Sequence, residues 1–376
     1  MNIEFLDEQK SPARIRVVGV GGCGGNIIRC LQNRPVAGIE CAAVNTDAQA
    51  LSQINGAECV QIGENVTRGL GAGANYKIAA EAAEQDSRRL QELVRGYDMV
   101  FIAAGIGKGT GTGVSPVIAR LAREENTLTV AVVALSFRTE NRERIVREGL
   151  QVLSANVDSL LVVPNDNLAR VLGDVTCHQA LQAANDVLYN AVCGISEIIT
   201  KPGEMNLDFN DVRAVMSANG KAVMGSACAS GPDRAVQATQ EALCCPLMED
   251  SDLSTASHFL VNITGHPEQI RMSESEAVQD AISEKAPNCN SERFLGLVYD
   301  ESMGEDMRVT VIATGIGGHE AKNNQEDGKP NLEVIKANAV DNCFTSGRQR
   351  QRQKAIVDSA GGDARKVPTI MRRQCN

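Results

Sequence analysis

The sequence predicts an α/β fold: a Rossmann-like parallel sheet covered by helices on both faces, joined through one long helix to a smaller α+β domain. Three observations carry this. Apolar runs of strand length alternate with helical periodicity from residue 14 to 163, and a parallel sheet clothed on both sides is how such alternation buries its strands. Glycine-dense stretches at 21–25, 69–73 and 105–113 each stand directly before a helical stretch. A single long periodic segment, with Leu181, Ala184, Leu188, Ala191, Val192, Ile195, Ile198 and Ile199 on one stripe, separates this region from alternating strand-like runs beyond it.

Taken in order, the polar residues 1–13 form a flexible N-terminus. Arg14 to Val20 reads as a first strand, followed by the turn Gly21, Gly22, Cys23, Gly24, Gly25, Asn26 and a helix from Ile27. Glu40 to Val44 is a second strand that ends in Asn45-Thr46-Asp47, and open α/β sheets place ligand contacts at the carboxyl ends of their strands. Gly69-Leu70-Gly71-Ala72-Gly73-Ala74-Asn75 precedes a helix rich in Ala and Glu. Met99 to Ala104 is a buried strand; Gly105-Ile106-Gly107-Lys108-Gly109-Thr110-Gly111-Thr112-Gly113 follows it, and a helix is expected from Pro116. Strands at 128–135 and 159–163 complete the sheet, and Lys201-Pro202-Gly203 ends the long helix, whose start Asp174 or Thr176 could cap. Strands are expected at 258–264, 293–299 and 307–314. The domain boundaries follow: 14–175, the helix at 176–203, and 204–317. A polar linker at 318–363 and a short tail at 364–376 complete the chain.

A strand, a glycine turn and a helix N-terminus make an anion site, because backbone without Cβ atoms approaches a ligand closely while unpaired amides and the helix dipole face its charge. Thr110 and Thr112 add hydroxyl donors. Three such turns on one sheet edge converge on one polyphosphate. The P-loop pattern is excluded, since Lys108 is followed by Gly109 and Ile102 stands where its first glycine belongs.

Composition narrows the classes further. The 376 residues suffice for two domains, and a net charge of -10 with 3% aromatic residues argues against a nucleic-acid surface. Twelve cysteines without a CxxC pair, and four histidines without ligand spacing, indicate neither a disulfide framework nor a metal cage. Without a membrane-length apolar run or a signal peptide, the chain is expected to be cytoplasmic.

The motifs at 21–26, 45–47, 71–75 and 109–113, together with Asn206-Leu207-Asp208-Phe209-Asn210-Asp211-Val212, resemble in order and spacing those of FtsZ proteins, the bacterial relatives of tubulin, over residues 14–317. The resemblance implies a tubulin/FtsZ-like fold and a GTPase that binds GTP and GDP with Mg2+. It places Gly21, Gly22, Cys23, Gly24, Gly25 and Asn26, Asn45 and Asp47, and Gly107, Lys108, Gly109, Thr110, Gly111, Thr112 and Gly113 around the nucleotide. Ala72, Gly73, Ala74 and Asn75 lie near its terminal phosphate, Glu140 and Arg144 beside the ribose and phosphates, and Leu181 against the base. Asn165 and Asp186 match the guanine readers; a carboxylate accepts from N1 and N2 hydrogens that adenine cannot supply.

Asn206, Asp208 and Asp211 match the loop that polarises the attacking water. The long helix holds these acids away from their own nucleotide, so hydrolysis needs the next subunit stacked head to tail, and a repeated heterologous contact gives a filament. The tail is similar to the family's terminal peptide, which implies membrane-tethering division partners and a position at the division site near the inner membrane. Four positions depart from the family pattern: Lys108 and Cys23 replace glycines, Leu181 a phenylalanine, and Ser136 a proline. Two alternatives stand beside this reading. The Gly19-Val20-Gly21-Gly22-Cys23-Gly24 fingerprint with Asp47 fits a nicotinamide dehydrogenase, and Lys108 with Leu181 fits a weakly catalytic scaffold that co-assembles with a paralogue.

Overall fold

The structure, a computed structural model, describes residues 13–167, 175–201, 203–205, 207–218, 221–245, 248, 251–287 and 291–316. These belong to one compact unit. Asn206, the linker at 318–363 and the tail at 364–376 lie outside the described residues.

Six strands form the first sheet: β1 Ile15–Val20, β2 Ile39–Asn45, β3 Glu58–Gln61, β4 Met99–Ile106, β5 Leu128–Leu135 and β6 Ser159–Pro164. They run parallel throughout in the order β3-β2-β1-β4-β5-β6. The helices that connect and cover them are α1 Gly21–Asn33, the short α2 Ala48–Leu51 and α3 Glu64–Thr67, α4 Tyr76–Gln85, α5 Ser87–Val94, α6 Thr110–Glu124 and α7 Glu143–Ser154. Residues 165–167 are helical (α8), and the long helix α9 spans Cys177–Thr200.

Side chains alternate across a strand, so neighbours on β1 serve opposite cores. Val17 packs with Phe101, Val130, Ile27 of α1 and Leu188 of α9, whereas Val18 packs with Ile102, Val133, Ala79 of α4 and Ile118 of α6. Both faces are thereby buried, which is why these strands read as unbroken apolar runs.

The second sheet contains β7 Gly203–Met205, β8 Lys221–Ser230, β9 His258–Gly265, β10 Glu292–Tyr299 and β11 Asp306–Ile316, in the order β8-β11-β9-β10-β7. Helices α10 Phe209–Met216, α11 Arg234–Leu243 and α12 Met272–Lys285 accompany it, and Phe259, Val261, Val309, Ala238 and Ile282 share its core. One residue pair, Leu161 with Ala222, joins the two sheets. The main bridge is α9, whose Leu188, Val192 and Ile195 share a core with both Val163 and Met224. Thr176 caps α9 in a reciprocal box with Gln179, and Lys201 ends it.

Two expectations need correction. Helix α6 begins at Thr110, six residues before Pro116, and α1 begins at Gly21 and not at Ile27. The glycines that suggested turns are the first helical turns themselves. Gly24 and Gly111 are glycine because these helices lie hard against strands: a Cβ on Gly24 would stand 2.4 Å from the Ala103 carbonyl oxygen, and one on Gly111 2.2 Å from that of Gly105. Strands β3, β7 and β8 also stand where none was expected.

Candidate functional site

The carboxyl ends of β1, β2, β4 and β5 open into a cleft of about 560 Å³, a volume suited to one small molecule. Its floor is made by two helix N-termini. Helix α1 starts from Val20 and α6 from Gly109; like α3, α5, α7 and α11 neither start carries a side-chain cap, and these two open on the cleft. Free amides and two positive dipole ends therefore face one space, where an anion would satisfy them.

The loop between β4 and α6 is pinned in place for this task. Gly107 takes φ +120°, a conformation reserved for glycine, and a Cβ there would fall 2.1 Å from Ser136 Oγ. The Gly107 N–H donates to Thr112 Oγ1 at 2.9 Å. Ser136 donates both its N–H, at 2.9 Å, and its hydroxyl, at 3.1 Å, to the Ile106 carbonyl. The proline of the family pattern would lack both donors. Thr110 and Thr46 share a hydroxyl–hydroxyl bond of 2.8 Å, which links the end of β2 to the start of α6.

Many of the residues singled out from sequence line this cleft: Gly22, Cys23, Asn26, Asn45, Asp47, Ala72, Gly73, Ala74, Lys108, Gly109, Thr110, Gly111, Glu140, Asn165 and Leu181. Others support it from behind. Gly21, Gly24, Gly25 and Gly113 are buried in helical backbone, Gly107 shapes the loop, and Thr112 is turned inward onto the Gly107 amide. Asn75 caps α4 through Lys77 N–H. Arg144 stands away from the cleft, 85% exposed and 3.8 Å from Glu148 on its own helix. Lys108 and Arg142 accompany Glu140 instead, at 3.2 and 3.8 Å.

The far end of the cleft is formed by Leu181, Ala184 and Asn185 of α9 together with Asn165. Asn165 Oδ1 is buried with no hydrogen-bond partner among the described residues, so the site holds an acceptor that waits for a donor. Asp186 points elsewhere: it accepts from Arg34, which also lies over the Tyr189 ring. The bond to Asp186 raises the Arg34 pKa above its ordinary value. Asn185, which sequence reasoning passed over, lines the cleft one turn beyond Leu181, and that i, i+4 relation was the signal available for it.

Cys23 Sγ sits under the loop, and burial pushes its pKa up to about 11 against the lowering effect of Lys108. It is a protonated packing group at neutral pH. Asp208 and Asp211 form a reciprocal capping box at the start of α10, with Asp211 N–H donating to Asp208 at 2.9 Å and Asp208 N–H to Asp211 at 3.2 Å. Leu207 and Ile198 both flank Gly296, so this box lies at the carboxyl end of α9, while the cleft is at its amino end. From Asn185 to Ile198 the helix rises about 20 Å. Among the described residues no three acids, histidines or cysteines gather into a metal cage.

Comparison with known proteins agrees with this geometry. The model of the Tubulin/FtsZ family GTPase domain matches residues 14–173, and that of the FtsZ family C-terminal domain matches 220–317. The cell division protein FtsZ of Wigglesworthia glossinidia brevipalpis is 47% identical over 313 residues, 82% of this chain and 81% of that one. The protein of the same name from Pseudomonas aeruginosa is 41% identical over 374 residues, 99% and 92% of the two chains. The structure titled FtsZ dimer, empty, from M. jannaschii superposes with a TM-score of 0.77 at 38% identity, covering 82% of this chain and 90% of that one.

Proposed function

The chain belongs to the Tubulin/FtsZ family, and from that premise we propose that it is a GTP-binding, GTP-hydrolysing protein that assembles head to tail into filaments of the cell-division apparatus, each bound nucleotide being completed by the acids of the next subunit. This membership replaces the nicotinamide alternative. The observation that carries the proposal is the pair of uncapped helix N-termini on one cleft, with the acidic box held about 20 Å away at the other end of α9.

The phosphates lie along the amides of Gly21–Gly24 and Gly109–Gly111, with the loop at 72–75 around the terminal one. The base lies between Leu181 and Asn165, whose orphaned Oδ1 accepts from a guanine N–H. Asp186 takes its part in guanine recognition by exchanging Arg34 for the base. Asn45 and Asp47 line the cleft and are the protein oxygens that would help hold a Mg2+ ion bound chiefly through phosphate and water oxygens; such an ion would supply charge neutralisation for the phosphates. Asp208 and Asp211 keep free carboxylate lone pairs outside their mutual bonds, and these polarise the attacking water when the next subunit's cleft closes over them. Asn206 is proposed beside them.

The protein acts in the cytoplasm at the division site, and residues 364–376 contact membrane-tethering partners; deleting them should spare turnover and abolish that contact in a pull-down with the partner. Among the described residues no helix is long and apolar enough to cross a membrane. Phosphate release measured against protein concentration tests the central proposal. Turnover per subunit should rise steeply above a threshold concentration, and a rate per subunit that stays constant on dilution refutes completion by a neighbour.

A further inference from the structure

Lys108 gives this cleft a charge that its glycine loops do not explain. It occupies the loop between β4 and α6, lines the cleft, and is 64% exposed, with Nζ 3.2 Å from Glu140 on the neighbouring loop after β5. Its neighbour Gly109 packs against the other loop: a Cβ there would lie 3.1 Å from Ala72 Cβ and 3.3 Å from Ala74 Cα. Lys108 thus stands where the loop at 72–75 meets the start of α6, beside the place assigned above to the terminal phosphate.

We propose that Lys108 and Glu140 form an electrostatic latch between two adjacent loops that line the cleft, and that the lysine ammonium leaves Glu140 to bind the terminal phosphate of a nucleoside triphosphate. The latch gives the chain a built-in countercharge that distinguishes triphosphate from diphosphate even without a divalent cation. This rests on the GTP reading above.

Three features make the exchange feasible. The lysine arm is long and mostly exposed, so it swings at little packing cost. Glu140 is not orphaned when Lys108 departs, because Arg142 Nε remains 3.8 Å away while the same guanidinium donates to the Gly107 carbonyl at 3.4 Å. Removing one partner of an ion pair is costly chiefly when the other is left buried and alone, and here it is neither. Finally, the acceptor improves: a terminal phosphate carries more charge than one carboxylate and offers several oxygens, and charge-assisted bonds strengthen accordingly. A diphosphate ends short of this position and leaves the latch closed.

The test is calorimetric titration of the full chain with GTP and with GDP, at protein concentrations below assembly, in Mg2+ and in excess EDTA. Wild type in EDTA should favour GTP over GDP. Lys108→Gly, and Lys108→Met, which keeps the arm and drops the charge, should each weaken GTP about tenfold and GDP no more than about twofold. Lys108→Arg should keep the preference, and Glu140→Gln, which frees the lysine, should strengthen GTP binding in EDTA. A GTP-to-GDP ratio that stays at the wild-type value in both uncharged variants overturns the latch while leaving GTP binding intact. Wild type that binds neither nucleotide in Mg2+ overturns the GTP reading and the latch with it.

Discussion

Asp211→Ala separates the two ends of α9 most directly. Asp211 accepts from the Asp208 N–H at 3.2 Å in an exposed capping box, so its removal costs the fold about 0.5–1 kcal/mol. For a unit of this size that lowers Tm by roughly 1–3 °C. Nucleotide affinity should not follow, because the last cleft residue of α9 and the turn beside the box are separated by about 20 Å of helix. Guanine nucleotide Kd below the assembly threshold should therefore stay within about twofold of wild type, an effect too small to count as a lost contact. Turnover should fall by about 10²–10⁴, the loss expected when a group that handles the water's proton is removed. The assays are calorimetric titration with GTP, phosphate release above the threshold, and thermal melting. Turnover within about threefold of wild type would refute the catalytic role and leave Asp211 as a helix cap. A Kd weakened tenfold in dilute protein would refute the separation instead, since the acids would then be acting on their own cleft.

Three further outcomes follow from particular contacts. Thr112→Val keeps the shape but removes the buried acceptor for the Gly107 N–H, leaving a donor unsatisfied at a cost of about 1–3 kcal/mol; GTP affinity should drop tenfold or more in titration with little change in the far-ultraviolet circular dichroism. Cys23, its pKa pushed up to about 11, should resist iodoacetamide at about pH 8 in the folded protein and react in denaturant, as read by peptide mass spectrometry. Asp300 is held below its ordinary value, chiefly by the Ser302 hydroxyl and further by Lys201, against the opposing effect of burial. A depressed carboxylate contributes stability above its unfolded value of about 3.9 and loses it as pH falls through the lower folded value. Asp300→Asn should thus melt below wild type at about pH 6, and the gap should close as pH drops below about 3.5.

Most strands of the first sheet were legible because burial on both faces leaves an unbroken apolar run, and α9 because its stripe and the Thr176 cap are local signals. What was missed depends on partners distant in sequence. Strand β8 is built from small residues, since a Cβ on Gly225 would strike the Ala242 carbonyl at 1.9 Å; its composition reports how tightly α11 presses on it and hides the strand. The phase of α9 is equally nonlocal. A stripe shows which face is apolar, yet Asn185 lines the cleft while its neighbour Asp186 is bonded to Arg34, a partner 152 residues away that no local pattern reveals.

The helix starts make the connection to function. Glycine's low helix propensity predicts turns at 21–25 and 109–113, and the structure makes both the first turns of helices. Those starts carry no side-chain caps, so the amides that a stable helix would have satisfied are left for a ligand, and the packing that tolerates only glycine brings the two starts within reach of one molecule. Local propensity therefore fails at 110 for the same reason that an anion site is proposed there: the helix gives up a good N-terminus, whose missing bonds a bound phosphate would complete.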